Sequence, residues 1–222
     1  LGYFQGIQDD WQCADQTEWR DMMPADRRYV YDVRLIVNHL VDTHSFLELT
    51  PAYGCAVVTG FARIEGRAIG LIANDCQMLG GAVDAEAAEK TARFITLCDN
   101  FDIPILSLCD SPGFMVGPAS EEQGAVRRMA QLFIAGAKLN TSLVTIFLRK
   151  GYGLGAMAMA GGSFHKPIYS AAWPSGEFGG MGLEGAVRLG FKKELAAMPD
   201  DAHREALFTE LVEKMHDPGK AT

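Results

Sequence analysis

The segment 148–163, "LRKGYGLGAMAMAGGS", contains five glycines and three alanines after a basic pair, but no His, Cys, Asp or Glu. Without such reactive side chains, any chemistry there must use backbone groups. Backbone N–H groups on a glycine-rich turn at a helix N-terminus can form an oxyanion hole, which a reaction through an enolate requires. The composition therefore indicates enolate stabilisation by the main chain, although small residues also allow a helix to pack tightly on a sheet.

Other catalytic patterns in the sequence are weak. The histidines lack the spacing of metal ligands, so no metal site is predicted, and no G-x-S-x-G nucleophile motif is present. The glycine-rich stretches match neither the dinucleotide G-x-G-x-x-G fingerprint nor a phosphate loop with G-K-[ST]. Asp110 ends a predicted strand, where such a residue more often caps a neighbouring loop or helix than acts in catalysis. Glu121 and Glu122 fit the first turn of a helix, where the dipole favours carboxylates.

Length, composition and charge restrict the class of protein. The 222 residues, 48% of them hydrophobic, suit one large globular domain or two small ones. A net charge of -8 argues against a nucleic-acid-binding surface, so an anionic ligand would need a local basic pair: Arg127-Arg128, Arg149-Lys150 or Lys192-Lys193. No apolar run approaches the roughly 20 residues of a membrane span. Five cysteines without C-x-x-C spacing, and no visible secretory signal, predict reduced thiols in a cytoplasmic protein.

The hydrophobic pattern predicts an α/β fold in the first half of the chain. Apolar residues at helical spacing predict a helix over 33–41, and two β-rich runs joined by Glu65-Gly66 predict a hairpin. Asp84 is a plausible N-cap for an amphipathic helix whose buried side would contain Ala88, Ala92, Ile95 and Leu97. The continuous apolar run 104–110 then predicts a strand buried on both faces of a parallel sheet.

The second half of the chain repeats the order of strand, loop and helix. We expect a long helix capped by Ser120, strands over 141–148 and 167–173, and helices over 186–195 and 201–216. Glycine-rich loops follow the strands at 111–117, 150–155 and 175–182. Because the carboxyl ends of parallel strands share one edge of a sheet, these loops are the predicted location of a site.

Five collinear blocks of the sequence resemble the C-terminal half of the carboxyltransferase domain of biotin-dependent acyl-CoA carboxylases and their decarboxylase relatives. The blocks are "YDVRLIVNHLVDTHSFLEL", "VTGFARIEGRAIGLIAN", "AEKTARFITLCDNFDIPILSLCDSPGFMVG", "LRKGYGLGAMAM" and "AAWPSGEFGGMGLEGAV". The resemblance implies a crotonase-like fold of repeated ββα superhelical units, arranged in the family as two homologous halves, N and C.

The resemblance also suggests how the chain is divided. We assign residues 24–222 to the C-terminal, biotin-side domain of a carboxyltransferase and residues 7–23 to an N-terminal extension. Residues 1–6, "LGYFQG", look like the remnant of an expression tag. The chain ends at "MHDPGKAT", before an Asp-rich segment that the family usually has near its end, so we expect a truncated C-terminal domain.

In function, the resemblance implies transfer of a carboxyl group from carboxybiotin to the α-carbon of an acyl-CoA, of the acetyl-CoA or propionyl-CoA class. The cofactor would be biotin on a partner carrier protein or domain, charged by a separate biotin carboxylase. The family holds acyl-CoA mainly in the N half and carboxybiotin in the C half, between subunits that assemble as trimers or hexamers. We therefore expect this chain to be inactive without an N-terminal half, and to have no nucleic-acid or membrane partner.

By position in the R-K-x-Y-G motif, the resemblance places the biotin-side oxyanion donors on the backbone of Leu154 and Gly155. It implies that the surrounding residues bind or shape the substrates: Gly113, Phe114, Tyr152, Gly153, Ala156 and Met157. Many family members read Gly-Gly-Ala-Tyr where this chain reads Gly-Leu-Gly-Ala, and Met157 replaces an acidic or aliphatic residue associated with acyl selection. Backbone donors tolerate such changes, so the oxyanion role is kept while the acyl group stays open.

Three alternatives are open at the level of sequence. A biotin-dependent decarboxylase would use the same residues in reverse. A crotonase-type enzyme acting without biotin would need a Glu acid or base beside the hole, and Glu177 and Glu184 are the nearest candidates. A non-catalytic assembly module would keep the fold and bind no cofactor.

Overall fold

The computed structural model describes residues 6–24, 26 and 29–215. Within these ranges the strands are β1 (Leu47–Leu49), β2 (Val57–Ile64), β3 (Arg67–Asn74), β4 (Ile105–Ser111), β5 (Leu143–Tyr152), β6 (Tyr169–Ala172) and β7 (Glu177–Gly179). The α-helices are α1 (Trp19–Met22), α2 (Val33–Leu40), α3 (Ala85–Asn100), α4 (Pro118–Glu122), α5 (Ala125–Lys138), α6 (Gly153–Met159), α7 (Leu183–Gly190), α8 (Lys192–Ala196) and α9 (Asp201–Met215). The α/β class predicted from the sequence is confirmed.

One mixed sheet combines an antiparallel side with a parallel side. Strands β1, β2 and β3 pair antiparallel, β3 to β6 pair parallel in chain order, and β7 pairs with the carboxyl end of β5. Glu65 and Gly66 join β2 to β3 with φ angles of 49° and 73°. Positive φ at both central residues is what a two-residue type I′ turn requires, so the predicted hairpin is confirmed.

Apolar helix faces cover both sides of the sheet. Strand β4 is buried along its whole length, and its alternate residues enter different core layers. Ile105 and Cys109 belong to the layer that includes α3, α5 and α6, whereas Leu106 and Leu108 belong to the layer that includes α2. This two-sided burial explains the uninterrupted apolar run of β4 and confirms the predicted parallel strand.

The predicted long helix with Ser120 as its cap is wrong. Ser120 lies inside the short helix α4, where its hydroxyl donates to the Met115 carbonyl at 3.2 Å. Gly124, the residue before α5, adopts the left-handed conformation with φ 68°. Because a left-handed residue cannot continue a right-handed helix, Gly124 separates α4 from α5.

Helix α3 confirms its predicted cap but not all of its predicted buried face. The Asp84 carboxylate accepts a hydrogen bond from the Ala87 N–H at 2.8 Å. Ala88, Ala92 and Ile95 are buried, as expected from their helical spacing. Leu97, however, is 37% exposed, because it follows Ile95 by only two residues and therefore points to a different side of the helix.

The N-terminal segment of the described chain contacts the domain, and the last three helices pack on one another. The Gln8 N–H donates to the Gly66 carbonyl at 3.1 Å, and the Trp19 ring lies 4.6 Å from the Trp173 ring between centroids. Helices α7, α8 and α9 form a small apolar cluster of their own around Val187, Leu195 and Val212. None of the described helices has the length and apolar character needed to cross a bilayer.

Candidate active site

A break in the pairing of β4 with β5 shapes the carboxyl edge of the sheet. The register is regular to Cys109 and Phe147, then shifts so that Ser111 pairs with Gly151. At the shift, the Lys150 N–H donates to the Asp110 carboxylate at 2.9 Å. The side chain of Asp110 thus accepts the hydrogen bond of a strand N–H at an irregular point of the ladder, as at a β-bulge.

Asp110 also holds the guanidinium of Arg149 in the protein interior. Arg149 Nη2 lies 3.0 Å from Asp110 Oδ2, the two side chains are 3% and 0% exposed, and the Tyr31 hydroxyl donates to the same oxygen at 2.8 Å. Burial raises the pKa of Tyr31, and the neighbouring Asp110 carboxylate raises it further. Burial acts to lower the pKa of Arg149, but Asp110 outweighs it and the net shift is upward. This cluster is charged, internally paired and structural.

Both basic residues of the motif, Arg149 and Lys150, therefore bind groups within the protein. In addition to Arg149, Lys150 uses its ammonium group to bind the Gly80 carbonyl, at 2.7 Å. Among the other predicted anion sites, Arg128 makes two hydrogen bonds to the Glu89 carboxylate. Asp110 and Arg149 were predicted separately, but the sequence contained no signal that they form one buried unit across neighbouring strands.

The loop after β4 and the start of α6 meet through two glycines. A Cβ added to Gly155 would lie 2.5 Å from the carbonyl carbon and 2.7 Å from the Cα of Gly113. Such distances are below any normal van der Waals contact, so only glycine allows this approach. Gly153, the first residue of α6, has a φ of 58°, a conformation that glycine adopts without strain. The structure thus places Gly113 against Gly155, with Gly153 two residues earlier at the start of α6.

The first turn of α6 presents backbone donors beside this contact. The N–H groups of Leu154 and Gly155 have no carbonyl one turn earlier in the helix to accept them. Leu154 is 61% exposed and Gly155 is buried. The positive end of the helix dipole lies at the same place. This arrangement can stabilise negative charge on an oxygen without any ionisable side chain.

A hydrogen bond between Tyr152 and Glu177 connects the predicted loop 175–182 to the start of α6. Tyr152 ends β5 and Glu177 begins β7, both are buried, and the tyrosine hydroxyl donates to the Glu177 carboxylate. Strand pairing places Tyr152 opposite Gly179. A Cβ on Gly153 would lie 3.0 Å from the Gly180 carbonyl oxygen. All three glycine-rich segments predicted from the sequence therefore converge at this edge of the sheet. The prediction that residues 150–155 form a loop is wrong, because β5 extends to Tyr152 and α6 begins at Gly153.

The remaining predicted residues differ in position. Phe114 is half-buried, bridges to Val83 and has its ring 6.0 Å from that of Phe133. Ala156 is fully buried in the core layer of α3 and α5. Met157 is half-buried and, three residues after Leu154, lies on the same face of α6.

The two glutamates considered as acids or bases lie near Tyr152 but in different settings. Glu177 accepts the tyrosine hydrogen bond, whereas Glu184 is exposed in the first turn of α7. A Cβ on Gly182 would be 3.7 Å from the Tyr152 ring and 3.8 Å from Glu184 Oε2. Among the described residues, no group of three or more His, Cys, Asp or Glu could hold a metal ion.

Comparison with known proteins places these features in a family. A family model described as "Carboxyl transferase domain" matches residues 6–220. The biotin-dependent acetyl-/propionyl-coenzyme A carboxylase beta5 subunit of Mycobacterium leprae is 35% identical over 213 residues, 96% of this chain and 39% of that protein. The chain therefore spans about two fifths of the length of this relative.

Solved structures of two related proteins have the same fold. A single-chain, multi-domain long-chain acyl-CoA carboxylase superposes with a TM-score of 0.88 at 53% identity, covering 96% of this chain and 21% of the other. The transcarboxylase 12S hexamer, solved with methylmalonyl-coenzyme A, gives a TM-score of 0.83 at 36% identity, covering 98% and 42%. The crotonase-like fold expected from the sequence is confirmed. With the family model matching nearly its whole length, this chain belongs to the carboxyl transferase domain family.

Proposed function

We propose that this chain is the C-terminal, biotin-side half of an acyl-CoA carboxyltransferase. It would transfer a carboxyl group from carboxybiotin to the α-carbon of an acyl-CoA, together with an N-terminal half that binds the CoA ester. The observation that carries the proposal is the contact of Gly113 with Gly155 beside the first turn of α6. Membership of the carboxyl transferase family supports it.

The proposed task of this chain is to stabilise charge. The N–H groups of Leu154 and Gly155 would donate to the carbonyl oxygen of the biotin ring as negative charge develops on it, which is the arrangement of an oxyanion hole. Neutral backbone donors flanked by the apolar side chains of Phe114 and Leu154 fit a neutral ring with one carbonyl oxygen. Biotin, when bound, would supply the carboxyl group that is transferred.

The assembly is also a proposal. We infer that the biotin arrives on a carrier protein or domain served by a biotin carboxylase, in the cytoplasm, and that the chain works in a trimer or hexamer. A related M. leprae subunit is named biotin-dependent and the related 12S core is a hexamer, which supports this inference. The Tyr152–Glu177 hydrogen bond argues against Glu177 as a free acid or base, because its carboxylate is already bound.

Removing a single N–H group tests the proposed oxyanion hole. Leu154 would be replaced by its α-hydroxy acid analogue, which turns the amide into an ester and keeps the side chain. Leu183 offers a matched control, because it is also a leucine in the first turn of a helix, α7. The chain would be mixed with a matching N-terminal half and assayed for malonyl-CoA or methylmalonyl-CoA formation from carboxybiotin.

We expect the ester at Leu154 to lower kcat by about 10²–10³-fold, as the loss of one oxyanion donor does in other enzymes. The ester at Leu183 should leave kcat within about threefold, a change of less than 1 kcal/mol in the barrier. Equal rates for the two esters, or an inactive mixture that nevertheless assembles, would contradict the proposed role.

A further inference from the structure

A small cavity lies near the antiparallel edge of the sheet, between α3 and the strands β1 and β2. It has a volume of about 170 Å³, and its lining includes Thr50, Tyr53, Thr59, Lys90, Arg93 and Phe94. Strand β2 is three strands away from β5 in the sheet, about 14 Å at the usual strand spacing. The cavity is therefore separate from the glycine-rich edge where we place carboxyl transfer.

The cavity contains a buried cation without a contacting partner. Lys90 is only 5% exposed, yet its ammonium group forms no hydrogen bond or salt bridge with any residue that the structure describes. Burial lowers the pKa of Lys90, and the charge of Glu48 opposes that shift. The ammonium nitrogen is not sealed from solvent in the way of Trp19 Nε1 or Thr145 Oγ1, so it reaches open space. The open space beside it is the cavity that it lines.

The carboxylates whose charges act on Lys90 are already bound by Arg34. Two nitrogens of Arg34 donate to Glu48 at 2.8 Å and 2.7 Å, and a third donates to Asp75 at 2.6 Å. The described lining of the cavity itself includes no Asp or Glu. Because a buried cation without a contacting counter-charge is unfavourable, an anion in the cavity would supply the contact that the fold does not.

Arg93 adds a second cation to the same cavity. It follows Lys90 by three residues on α3, and therefore lies on the same face of the helix. Arg93 is exposed, and its guanidinium forms no hydrogen bond within the described part of the chain. The charge of Arg93 acts on Glu89, but that carboxylate is bound by Arg128 and Tyr53. Both cations of the cavity are thus available to one ligand.

The hydroxyl groups and the size of the cavity indicate a small oxyanion. The Thr50 hydroxyl forms no hydrogen bond with another described residue, whereas those of Tyr53 and Thr59 already donate to a carboxylate and a backbone carbonyl. The volume is below the range of about 300–1,000 Å³ that is typical of pockets for larger organic ligands. Lysine and arginine bind phosphate oxygens through strong, charge-assisted hydrogen bonds.

We propose that this cavity binds a phosphate-sized oxyanion, with Lys90 and Arg93 as its cationic ligands and the Thr50 hydroxyl as a neutral donor. Thr50 directly follows β1, so the ion would join α3 to the edge strand of the sheet. The group bound is a phosphoryl group, and the small volume favours inorganic phosphate over a phosphoryl group on a larger molecule such as CoA.

Amide NMR of the ¹⁵N-labelled chain measures this binding without requiring catalysis. Inorganic phosphate, exchanged for chloride at constant ionic strength, should shift the signals of Thr50 and Arg93 along a saturating curve. The signals of α7, whose helix packs in a separate apolar cluster, should stay unchanged. CoA and dephospho-CoA, which lacks the ribose phosphate, identify the source. Tighter binding of CoA alone would keep the phosphoryl site and assign it to the coenzyme.

Three variants connect the shifts to the cations of the cavity. Lys90→Met should weaken phosphate binding by about tenfold or more, as the loss of a charge-assisted hydrogen bond does. Arg93→Gln changes an exposed residue and should also weaken binding, with no loss of folding. Lys193→Gln, at an exposed residue of α8, removes the same charge outside the cavity and should leave the affinity unchanged.

Shifts that do not saturate, or that spread equally to α7, would overturn the proposal, because they would reflect general attraction of anions. So would an undiminished affinity in both Lys90→Met and Arg93→Gln. If Lys90→Met unfolded more easily without phosphate and yet bound it normally, the lysine would only balance the charges of Glu48 and Asp75. None of these results alters the rates expected for the ester at Leu154, so the proposed function is tested separately.

Discussion

At Gly155, the space of a side chain is already taken by the backbone of the preceding loop. The Gly113 carbonyl carbon lies 2.5 Å from where a Cβ would be, and both atoms belong to segments fixed at the ends of parallel strands. The glycine is therefore needed for the close approach of the Gly113 loop to α6. This packing requirement holds whether or not the residue also binds a ligand. The two interpretations of the glycine-rich segment, packing and oxyanion binding, are compatible at this residue.

Gly155→Ala should destabilise the chain by about 1–3 kcal/mol, because the added methyl group must displace the backbone of Gly113. Gly190→Ala is the matched control, since Gly190 is also in a helix, α7, and an added Cβ there meets nothing within 4 Å. Urea unfolding followed by circular dichroism measures both. A Gly155→Ala chain as stable as Gly190→Ala would show that the loops separate without cost.

At the scale of elements, a cluster of polar side chains joins α3 to α5. Arg128 donates from Nε and Nη2 to the Glu89 carboxylate, at 2.8 Å and 3.0 Å, and Tyr53 donates to the same carboxylate at 2.7 Å. Hydrogen bonding from Arg128, followed by that from Tyr53, lowers the pKa of Glu89 from 4.5 to about 2. The helices are thus connected by a carboxylate that prefers its ionised form in the folded state.

The lowered pKa of Glu89 predicts a loss of stability in acid. A carboxyl group with a depressed pKa in the folded state stabilises that state above its unfolded pKa, and this contribution disappears as the pH falls from about 4.5 toward 2. Glu89→Gln should therefore reduce the fall in the free energy of unfolding between pH 5 and pH 3. Urea titrations at both pH values measure it, with Glu205→Gln, on the exposed side of α9, as control. An unchanged fall in Glu89→Gln would contradict the argument.

The elements also show what the sequence could and could not predict. Long apolar runs and glycine-rich loops predicted β4, β5 and the edge where the site lies. The Ser-Glu-Glu signal predicted one long helix, because it describes a helix start well but says nothing of the left-handed Gly124 that follows. Strand β7 has only three residues, and its pairing with β5 depends on contacts 27 residues apart, from Lys150 to Glu177, which periodicity does not record.

Individual site residues were predictable to different degrees. Composition indicated only that the glycine-rich segment could act through backbone groups. The choice of Leu154 and Gly155 came from the resemblance to the carboxyltransferase family, and their role stays a prediction. The Tyr152–Glu177 hydrogen bond and the Asp110–Arg149 pair were not predicted, because each joins residues on different strands. Single-sequence patterns indicate which backbone segments come to an edge, but not which side chains meet there.

At the scale of the whole molecule, we expect this chain to form only one side of the transfer site. The chain covers about two fifths of the M. leprae relative. Of the two residues that would carry the charge-stabilising donors, Leu154 is exposed and Gly155 is buried. A donor at an exposed residue such as Leu154 loses much of its electrostatic effect to water, which a partner surface would exclude.

We therefore expect the chain alone to form no detectable malonyl-CoA or methylmalonyl-CoA from carboxybiotin, and the mixture with a matching N-terminal half to be active. The mass of the complex in solution, measured alongside the rate, would show whether activity follows assembly. Substantial activity of the purified chain by itself would overturn this prediction. Activity of the N-terminal half without this chain would do the same.

The buried ion pair at the end of β5 also determines where the chain can be shortened. Arg149 donates to the Tyr29 carbonyl at 2.8 Å, and Tyr31 donates to Asp110, so both partners lie before the first long helix, α2. A protease cut or a new start point between Tyr31 and Val33 would leave a buried guanidinium and carboxylate short of two hydrogen bonds. A shortened version of this domain that keeps both hydrogen bonds must therefore begin no later than Tyr29, even though the first helix of the core, α2, begins at Val33.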